Sequence, residues 1–219
     1  MRVLVRGAGL VLTAAGIYAF VLRRRMLAWG ATANEVRAPM PGDGLVPEAD
    51  LVATRGISIQ APVEGVWPWL AQMGQGRGGL YSYDWLENLI GCQMDSATQV
   101  VADWQHPAVG DDFRLHPEVA LRVATVDPPH ALVIRGAVSA AGKGTSDDPG
   151  MPYDFTWSFA LLPEQGGRAR LLVRERYRYL TPWARPMVEA VSVLSFVMTE
   201  RMLRGVRDRA EGRALAGTR

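Results

Sequence analysis

The chain has 219 residues, a formal net charge of +2, 48% hydrophobic residues and 21% charged residues. Its length fits one domain of ordinary size plus a small additional segment, and its apolar content excludes wholesale disorder because it is sufficient for a core. The small net charge gives no reason to expect a nucleic-acid partner, and the single cysteine, Cys92, excludes an intrachain disulfide.

Residues 1–27 are predicted to form an N-terminal transmembrane anchor. Residues 7–22 carry no charged side chain, and arginines flank them at Arg6 and at 23–25. As a helix, this run spans roughly 24 Å, short of a hydrocarbon core of about 30 Å, so it needs residues 3–5 as well. A cleaved signal peptide is the alternative, although an arginine triplet directly after the apolar run is unusual there. The positive-inside bias favours a single-pass protein of the cell membrane with its main domain in the cytoplasm.

Residues 28–50 are predicted to be an extended linker or strap, because they are rich in proline and glycine and lack a sustained period. A helix is predicted from about residue 61 to Met73, where Gly74 ends it. Between these segments, polar and apolar side chains alternate over residues 51–60, and this alternation predicts a strand. One face of that strand would carry Leu51, Ala53, Arg55 and Ile57.

Residues 74–91 read GQGRGGLYSYDWLENLIG and combine a glycine-rich turn with aromatic and charged side chains. Glycine allows positive φ or a close backbone approach, and the aromatic residues join apolar surface to polar tips, so the segment suits the mouth of a pocket. A short helix is predicted over residues 83–90, with a buried side formed by Trp85, Leu86, Leu89 and Ile90. The other face of this helix carries Asp84, Glu87 and Asn88. These residues indicate either a solvated surface or a pair of carboxylates for acid–base chemistry.

The second half of the chain predicts antiparallel strands followed by one long helix. Glu175 lies on the apolar parity of the last strand and is predicted to point inward, where a buried carboxylate needs a partner such as Arg135 or Arg77. The arginines of that strand lie on its other face. Arginines on one face and apolar residues on the other predict a sheet with one face exposed to solvent. The helix is predicted over residues 182–209 and is apolar around most of its circumference, hence buried. The strands are predicted at residues 111–115, 120–126, 131–138, 154–162 and 168–180.

This order of elements resembles the SRPBCC or START-like superfamily over residues 50–210. Four strings resemble a bacterial branch of that superfamily: WGAT, PGD, VWPWL and QMGQGRGGLYSYDWLENL. The resemblance implies an α+β helix-grip fold, in which a curved antiparallel β-sheet wraps around the long C-terminal helix and encloses a hydrophobic cavity. Catalytic residues are not shared across the superfamily, so the resemblance assigns none here.

The chain therefore divides into a transmembrane anchor at 1–27, an extended linker at 28–50, an SRPBCC/START-like domain at 51–210 and a disordered tail at 211–219. We predict a membrane-anchored protein that binds a hydrophobic small molecule or lipid in its internal cavity. Two alternatives stay open: a cyclase- or dehydratase-type enzyme acting on an apolar or polyketide-like substrate, and a non-enzymatic protein-interaction module. The oligomeric state stays open as well.

Neither a cofactor nor a metal is predicted, because each of the three histidines adjoins a proline and none has the spacing of metal ligands. The glycine-rich turn lacks the spacing of a nucleotide-binding loop, and we interpret its glycines as the hinge of a gate. Four side chains of segment 74–91 are expected at the mouth of the cavity, namely those of Arg77, Tyr81, Tyr83 and Trp85. The predicted ligand-binding residues are Arg77, Tyr81, Tyr83, Trp85, Phe155, Trp157, Glu175, Tyr177, Val191 and Met198.

Overall fold

The computed structural model describes residues 21–136 and 152–213. Most of the predicted anchor, the end of the strand predicted at 131–138 and the end of the predicted tail lie outside these residues. The described residues form five α-helices, six strands and two short 3-10 turns. In chain order they are α1 (Arg23–Leu27), α2 (Ala33–Arg37), a turn (Asp43–Leu45), β1 (Leu51–Ile59), α3 (Val63–Ala71), α4 (Asp84–Leu89), a turn (Ala102–Trp104), β2 (Asp112–His116), β3 (Val119–Asp127), β4 (Ala131–Gly136), β5 (Tyr153–Glu164), β6 (Arg168–Tyr179) and α5 (Ala184–Ala210).

The strands form one curved antiparallel sheet in the order β1-β6-β5-β4-β3-β2. The two longest strands, β5 and β6, pair from Tyr153 opposite Tyr179 to Glu164 opposite Arg168. Register shifts interrupt the β2–β3 and β3–β4 ladders, and such irregularities bend the strand that carries them. The predicted α+β class, with an antiparallel sheet and a long C-terminal helix, is confirmed.

Helix α5 is buried along one face only, which corrects the prediction of burial around most of its circumference. Val188, Met202 and Val206 are at most 2% exposed, whereas Val191 and Leu194 are 46% and 50% exposed. The physical reason is that buried positions recur every three or four residues, so that one face of the helix packs on the domain and the other meets solvent. Val191, at the border of these two faces, both lines the cavity under the helix and is exposed.

The outer face of the sheet is covered by residues 28–50, which corrects the expectation of a solvated arginine face. Arg174 is 2% exposed. Its guanidinium donates to the Thr54 hydroxyl, to the Asp43 carboxylate and to the carbonyl oxygens of three strap residues, so all five of its N–H groups are bonded. Nearby, Arg170 donates to Glu35 over 2.7 Å, and this bond is the main cause that lowers the pKa of Glu35 to about 2.

The strap itself differs from the predicted extended linker, because part of it is helical. Thr32 and Glu35 form a capping box at the start of α2: each side chain accepts a hydrogen bond from the backbone N–H of the other residue. Gly30 approaches β1 so closely that an added Cβ would lie 2.1 Å from the carbonyl oxygen of Gly56. The strap is therefore a packed part of the domain.

The chain enters the described region beside α5. Arg23, in the first turn of α1, pairs with Glu189 of α5 at 2.6 Å, and this contact lowers the pKa of Glu189. Within residues 21–136 and 152–213, the structure contains no helix with the length and apolarity needed to cross a bilayer.

Candidate functional site

A cavity of about 500 Å³ lies between the inner face of the sheet and α5. Small-molecule sites have volumes of about 300–1,000 Å³, so this cavity has the size of a ligand site. Strands β5 and β6, helix α5 and segment 74–91 supply most of its wall. The lining side chains are those of Leu80, Ser82, Glu87, Ile90, Leu115, Leu121, Tyr153, Phe155, Trp157, Glu175, Tyr177, Met187, Val188, Val191, Ser195, Met198, Thr199 and Met202.

The sheet side of the cavity is an aromatic wall. The ring centroids of Phe155 and Tyr177 lie 4.7 Å apart, and those of Tyr153 and Tyr177 lie 5.5 Å apart. Trp157 packs against Phe113 in an edge-on arrangement with centroids 6.0 Å apart. Interlocked rings of this kind give a rigid apolar surface. The three methionines of α5 in the lining are flexible, so the helix side of the cavity adapts to the shape of its contents.

Glu175 points into this region, as the parity of its strand predicts, and its carboxylate is fully partnered. It accepts hydrogen bonds from Arg55 Nη1 at 2.6 Å, from Ser195 Oγ at 2.8 Å and from Thr199 Oγ1 at 3.1 Å. The Tyr177 hydroxyl donates over a longer 3.4 Å, and burial followed by the charge of Glu175 raises the pKa of that tyrosine. Arg55 and Glu175 are 1% and 3% exposed, so the ion pair is buried.

Arg55 is the partner of Glu175, and the prediction of Arg135 or Arg77 is wrong. Arg135 instead pairs with Asp154 at 3.2 Å, and Arg77 donates to two main-chain carbonyl oxygens. Arg55 lies diagonally across the β1–β6 ladder from Glu175, within reach of a long side chain. The signal for this pair was present in the sequence, because Arg55 lies on the otherwise apolar parity of β1.

Helix α4 presents the face opposite to the predicted one. Trp85, Leu89 and Ile90, assigned to its buried side, are 61%, 73% and 72% exposed. Glu87, assigned to its solvated face, is 6% exposed. The helix therefore shows apolar side chains to solvent and turns one carboxyl group inward.

The loop that follows α4 explains this orientation. The Asp84 carboxylate accepts hydrogen bonds from Ser96, from the backbone N–H at 2.9 Å and from the hydroxyl at 2.6 Å. Asn88 exchanges two hydrogen bonds with the backbone of Met94, at 2.9 Å and 2.6 Å. Four polar bonds thus fix the rotation of α4, and the short helix buries too little apolar surface to oppose them. Helical periodicity alone does not reveal a loop that bonds the polar side.

Glu87 lines the cavity with no hydrogen-bond partner among the described residues for either carboxyl oxygen. Burial, and secondarily the charge of Asp84, raises the pKa of Glu87 to about 7. Glu87 also contributes, after burial, to raising the pKa of the Cys92 thiol. The cavity wall thus holds two carboxyl groups in opposite conditions, one saturated by donors and one unpartnered.

The glycine-rich turn is a tightly packed structure, in contrast to the predicted hinge. Gly74 and Gly79 bridge across it, and a Cβ on Gly78 would lie 2.7 Å from the Tyr81 hydroxyl. Tyr81 has φ of 57°, is fully buried and donates to the Trp69 carbonyl oxygen at 3.0 Å. Burial raises the pKa of Tyr81. These contacts make the turn a fixed support for the residues that follow it.

Six of the ten predicted ligand-binding residues line the cavity, and four do not. Arg77 and Tyr81 hold the turn in place, and Tyr83 packs on Trp85 with ring centroids 6.4 Å apart. Segment 74–91 contributes to the wall through other residues, namely Leu80, Ser82, Glu87 and Ile90. The predicted residues in the lining are Phe155, Trp157, Glu175, Tyr177, Val191 and Met198.

Sequence reasoning missed the hydroxyl groups that face Glu175. Ser195 and Thr199 lie four residues apart in the uncharged stretch of α5, so they occupy one helix face. A polar pair on one face of an apolar run was the available signal, and Tyr153 was visible on the same parity as Phe155. Among the described residues, no group of three His, Cys, Asp or Glu side chains is arranged to hold a metal ion.

No protein-family model matches the chain, and no curated protein matches it. Similar solved structures include a protein from Mesorhizobium loti, 16% identical, covering 75% of this chain and 100% of its own, with a TM-score of 0.40. A protein from Thermobifida fusca is 14% identical, covers 75% of this chain and 97% of its own, and has a TM-score of 0.46. A protein from Arthrobacter aurescens is 14% identical, covers 77% of this chain and 90% of its own, and has a TM-score of 0.43. These likenesses name neither a family nor a ligand.

Proposed function

We propose that this protein is a membrane-anchored helix-grip protein that binds a hydrophobic small molecule or lipid between its sheet and α5. The observation that carries the proposal is the cavity of about 500 Å³. Its wall is aromatic on the sheet side and rich in methionine on the helix side. Burial of an apolar ligand there stabilises the complex by roughly 25 cal/mol for each Å² of apolar surface removed from water.

The rim of the cavity supports exchange of that ligand with a membrane. Ile90 and Val191 line the cavity and are also 72% and 46% exposed, so they mark its opening. Trp85 and Leu89 extend this apolar rim along α4. Contiguous exposed apolar surface marks a site of protein or membrane contact. Arg23, near the end of the predicted anchor, pairs with Glu189 of α5, the helix that also carries Val191. The cytoplasmic orientation rests on the arginines that follow the apolar segment.

Binding is favoured over the cyclase or dehydratase alternative because neither carboxyl group of the lining belongs to an available acid–base pair: Glu87 has no hydrogen-bond partner among the described residues, and Glu175 is saturated by donors. An acid–base catalyst must exchange a proton with its substrate, whereas three strong donors already occupy the Glu175 carboxylate. Tyr177 contacts that carboxylate, but its raised pKa makes it a weaker acid than an ordinary tyrosine. This arrangement fits a structural ion pair at the back of a binding cavity.

The proposal is tested by mass spectrometry of molecules that co-purify with the detergent-extracted full-length protein. Val191→Trp places a bulky ring at the opening and is expected to reduce the amount of bound ligand severalfold. Val193→Trp is the matched control, because Val193 is 39% exposed on the same helix and lies outside the lining. Absence of any bound molecule in the wild-type protein, or equal loss in both variants, would refute the proposal and favour a protein-interaction module.

A further inference from the structure

We propose that Glu87 is the anchor for the polar end of the ligand, and that this ligand is an apolar molecule carrying a protonated amine. This inference rests on the proposed function, because it specifies the chemistry of a molecule held in the same cavity. It starts from a buried carboxyl group for which residues 21–136 and 152–213 supply no hydrogen-bond partner.

Glu87 differs from every other carboxyl group in the described residues, because both of its oxygens are buried and unbonded. Glu175, which also lines the cavity, is saturated by donors from β1 and α5. Asp84, one turn earlier on α4, is bonded twice by Ser96. A buried polar group without a hydrogen bond is destabilising, so such a group in a native cavity indicates a partner that comes from outside the chain.

The electrostatic surroundings of Glu87 select a cation over a neutral donor. Burial disfavours the ionised carboxyl group, and the neighbouring Asp84 adds negative charge. An ammonium group would offset both effects, because its three N–H donors replace the lost hydrogen bonds of the carboxylate and its positive charge stabilises the ionised form. A hydroxyl group supplies one donor and no charge. A carboxylate would add a further negative charge to a wall that already contains Glu175.

Several other charged or titratable groups face this end of the cavity and enter any pH dependence. Asp84 precedes Glu87 on α4, and Cys92 follows it in the next loop. His116 of β2 lies beside Gly91, with Nε2 3.3 Å from the position of an added Cβ. Arg201 of α5 lies over the Tyr83 ring at 5.9 Å. Substitution at Glu87 separates its titration from theirs.

The apolar body of the ligand is expected to extend from Glu87 along the aromatic wall. Ile90, whose backbone N–H donates to the Glu87 carbonyl oxygen, lines the cavity and is exposed, whereas Phe155 and Tyr177 of the aromatic wall are buried. A molecule held this way keeps its charged end near the rim and its hydrocarbon part inside. This arrangement leaves the buried ion pair of Glu175 and Arg55 intact.

The experiment compares three probes with the same chain length, dodecylamine, dodecanol and dodecanoate. Binding to the full-length protein in lipid nanodiscs is measured by calorimetry at pH 6 and pH 8, with empty nanodiscs subtracted. With a pKa of about 7, Glu87 is about one-tenth ionised at the lower pH and about nine-tenths at the higher. The amine stays protonated throughout, since alkyl amines titrate near a pKa of about 10.

Dodecylamine is therefore expected to bind about tenfold more tightly at pH 8 than at pH 6. Glu87→Gln is expected to abolish this pH dependence and to weaken dodecylamine at pH 8 by about tenfold. Glu64→Gln, which removes an exposed carboxyl group on α3, is the matched control and is expected to behave like the wild type.

Equal binding of dodecylamine by Glu87→Gln and the wild type would overturn the inference, as would tighter binding of dodecanoate at pH 8. His116→Gln removes the histidine beside Gly91 and is expected to keep the pH dependence, so the test stands even if Glu87→Gln fails to fold. If dodecanol binds and dodecylamine binds no more tightly than dodecanol at either pH, the role of Glu87 is rejected and the proposed function is kept. Failure of all three probes, with no co-purified molecule, would reject both.

Discussion

Removal of Arg55 is predicted to be among the most destabilising single changes that leave the cavity wall in place. Arg55→Met takes the positive charge away from Glu175, which is 3% exposed, and leaves a buried carboxylate with hydroxyl donors only. Breaking a buried ion pair in this way costs about 3–5 kcal/mol. For a protein of this size, such a loss lowers the melting temperature by about 10 °C.

The assay is thermal and urea unfolding of the detergent-solubilised full-length protein, followed by tryptophan fluorescence. Arg135→Met is the control, because its pair with Asp154 is 3.2 Å long and Arg135 is 41% exposed, so its loss costs below about 1 kcal/mol. The double variant Arg55→Met/Glu175→Leu removes both charges and is expected to recover most of the lost stability. Equal effects of Arg55→Met and Arg135→Met would refute the reasoning.

Three further predictions concern a close contact, a titration and the rim. Gly205→Ala is expected to prevent stable folding, because the added Cβ would lie 2.1 Å from the Tyr81 carbonyl oxygen. Gly44→Ala is the control, since its Cβ would meet nothing within 4 Å, and expression levels and melting curves of the two variants are compared. Glu87 has a folded-state pKa of about 7 against 4.5 ordinarily, so the unfolded chain loses its proton first and stability falls as pH rises between these values. Glu87→Gln should remove about 2 kcal/mol of that fall in urea titrations, and an unchanged slope would contradict it. Leu89→Ser should change the free energy of unfolding by less than about 0.5 kcal/mol, because the side chain is 73% exposed, yet slow ligand transfer to vesicles; unaltered transfer would exclude a membrane-facing rim.

The sheet and α5 were predictable from sequence because their signals are long and repeated. Alternation over β5 and β6 defines two strands of 12 residues each, and the apolar run near the C-terminus defines the helix. The inward direction of Glu175 followed from the same parity. These features depend on local periodicity, which the sequence contains in full.

The orientation of α4 was not predictable because it depends on contacts with a loop. A helix of six residues has too little apolar surface to decide its own rotation, and the bonds of Asp84 and Asn88 to the following loop decide it instead. The same limit applies to Arg55 and the strap over the sheet. In both cases an arginine pairs with a residue distant in the chain, Glu175 or Asp43. Strand parity indicates that Arg55 points inward, but it does not identify the residue that it pairs with.

The bonds between Arg174 and the strap have a mechanical consequence. A loose tether of 23 residues would let a domain swing freely about its attachment point, with its opening facing any direction. Four bonds from one guanidinium to the strap, together with the close approach of Gly30 to β1, hold residues 28–50 against the sheet. A pull applied at α1 is transmitted directly to the sheet, and the pairing of Arg23 with Glu189 transmits it to α5 as well. In the proposed membrane-anchored protein, the end of the anchor and the domain that contains the cavity would therefore move together.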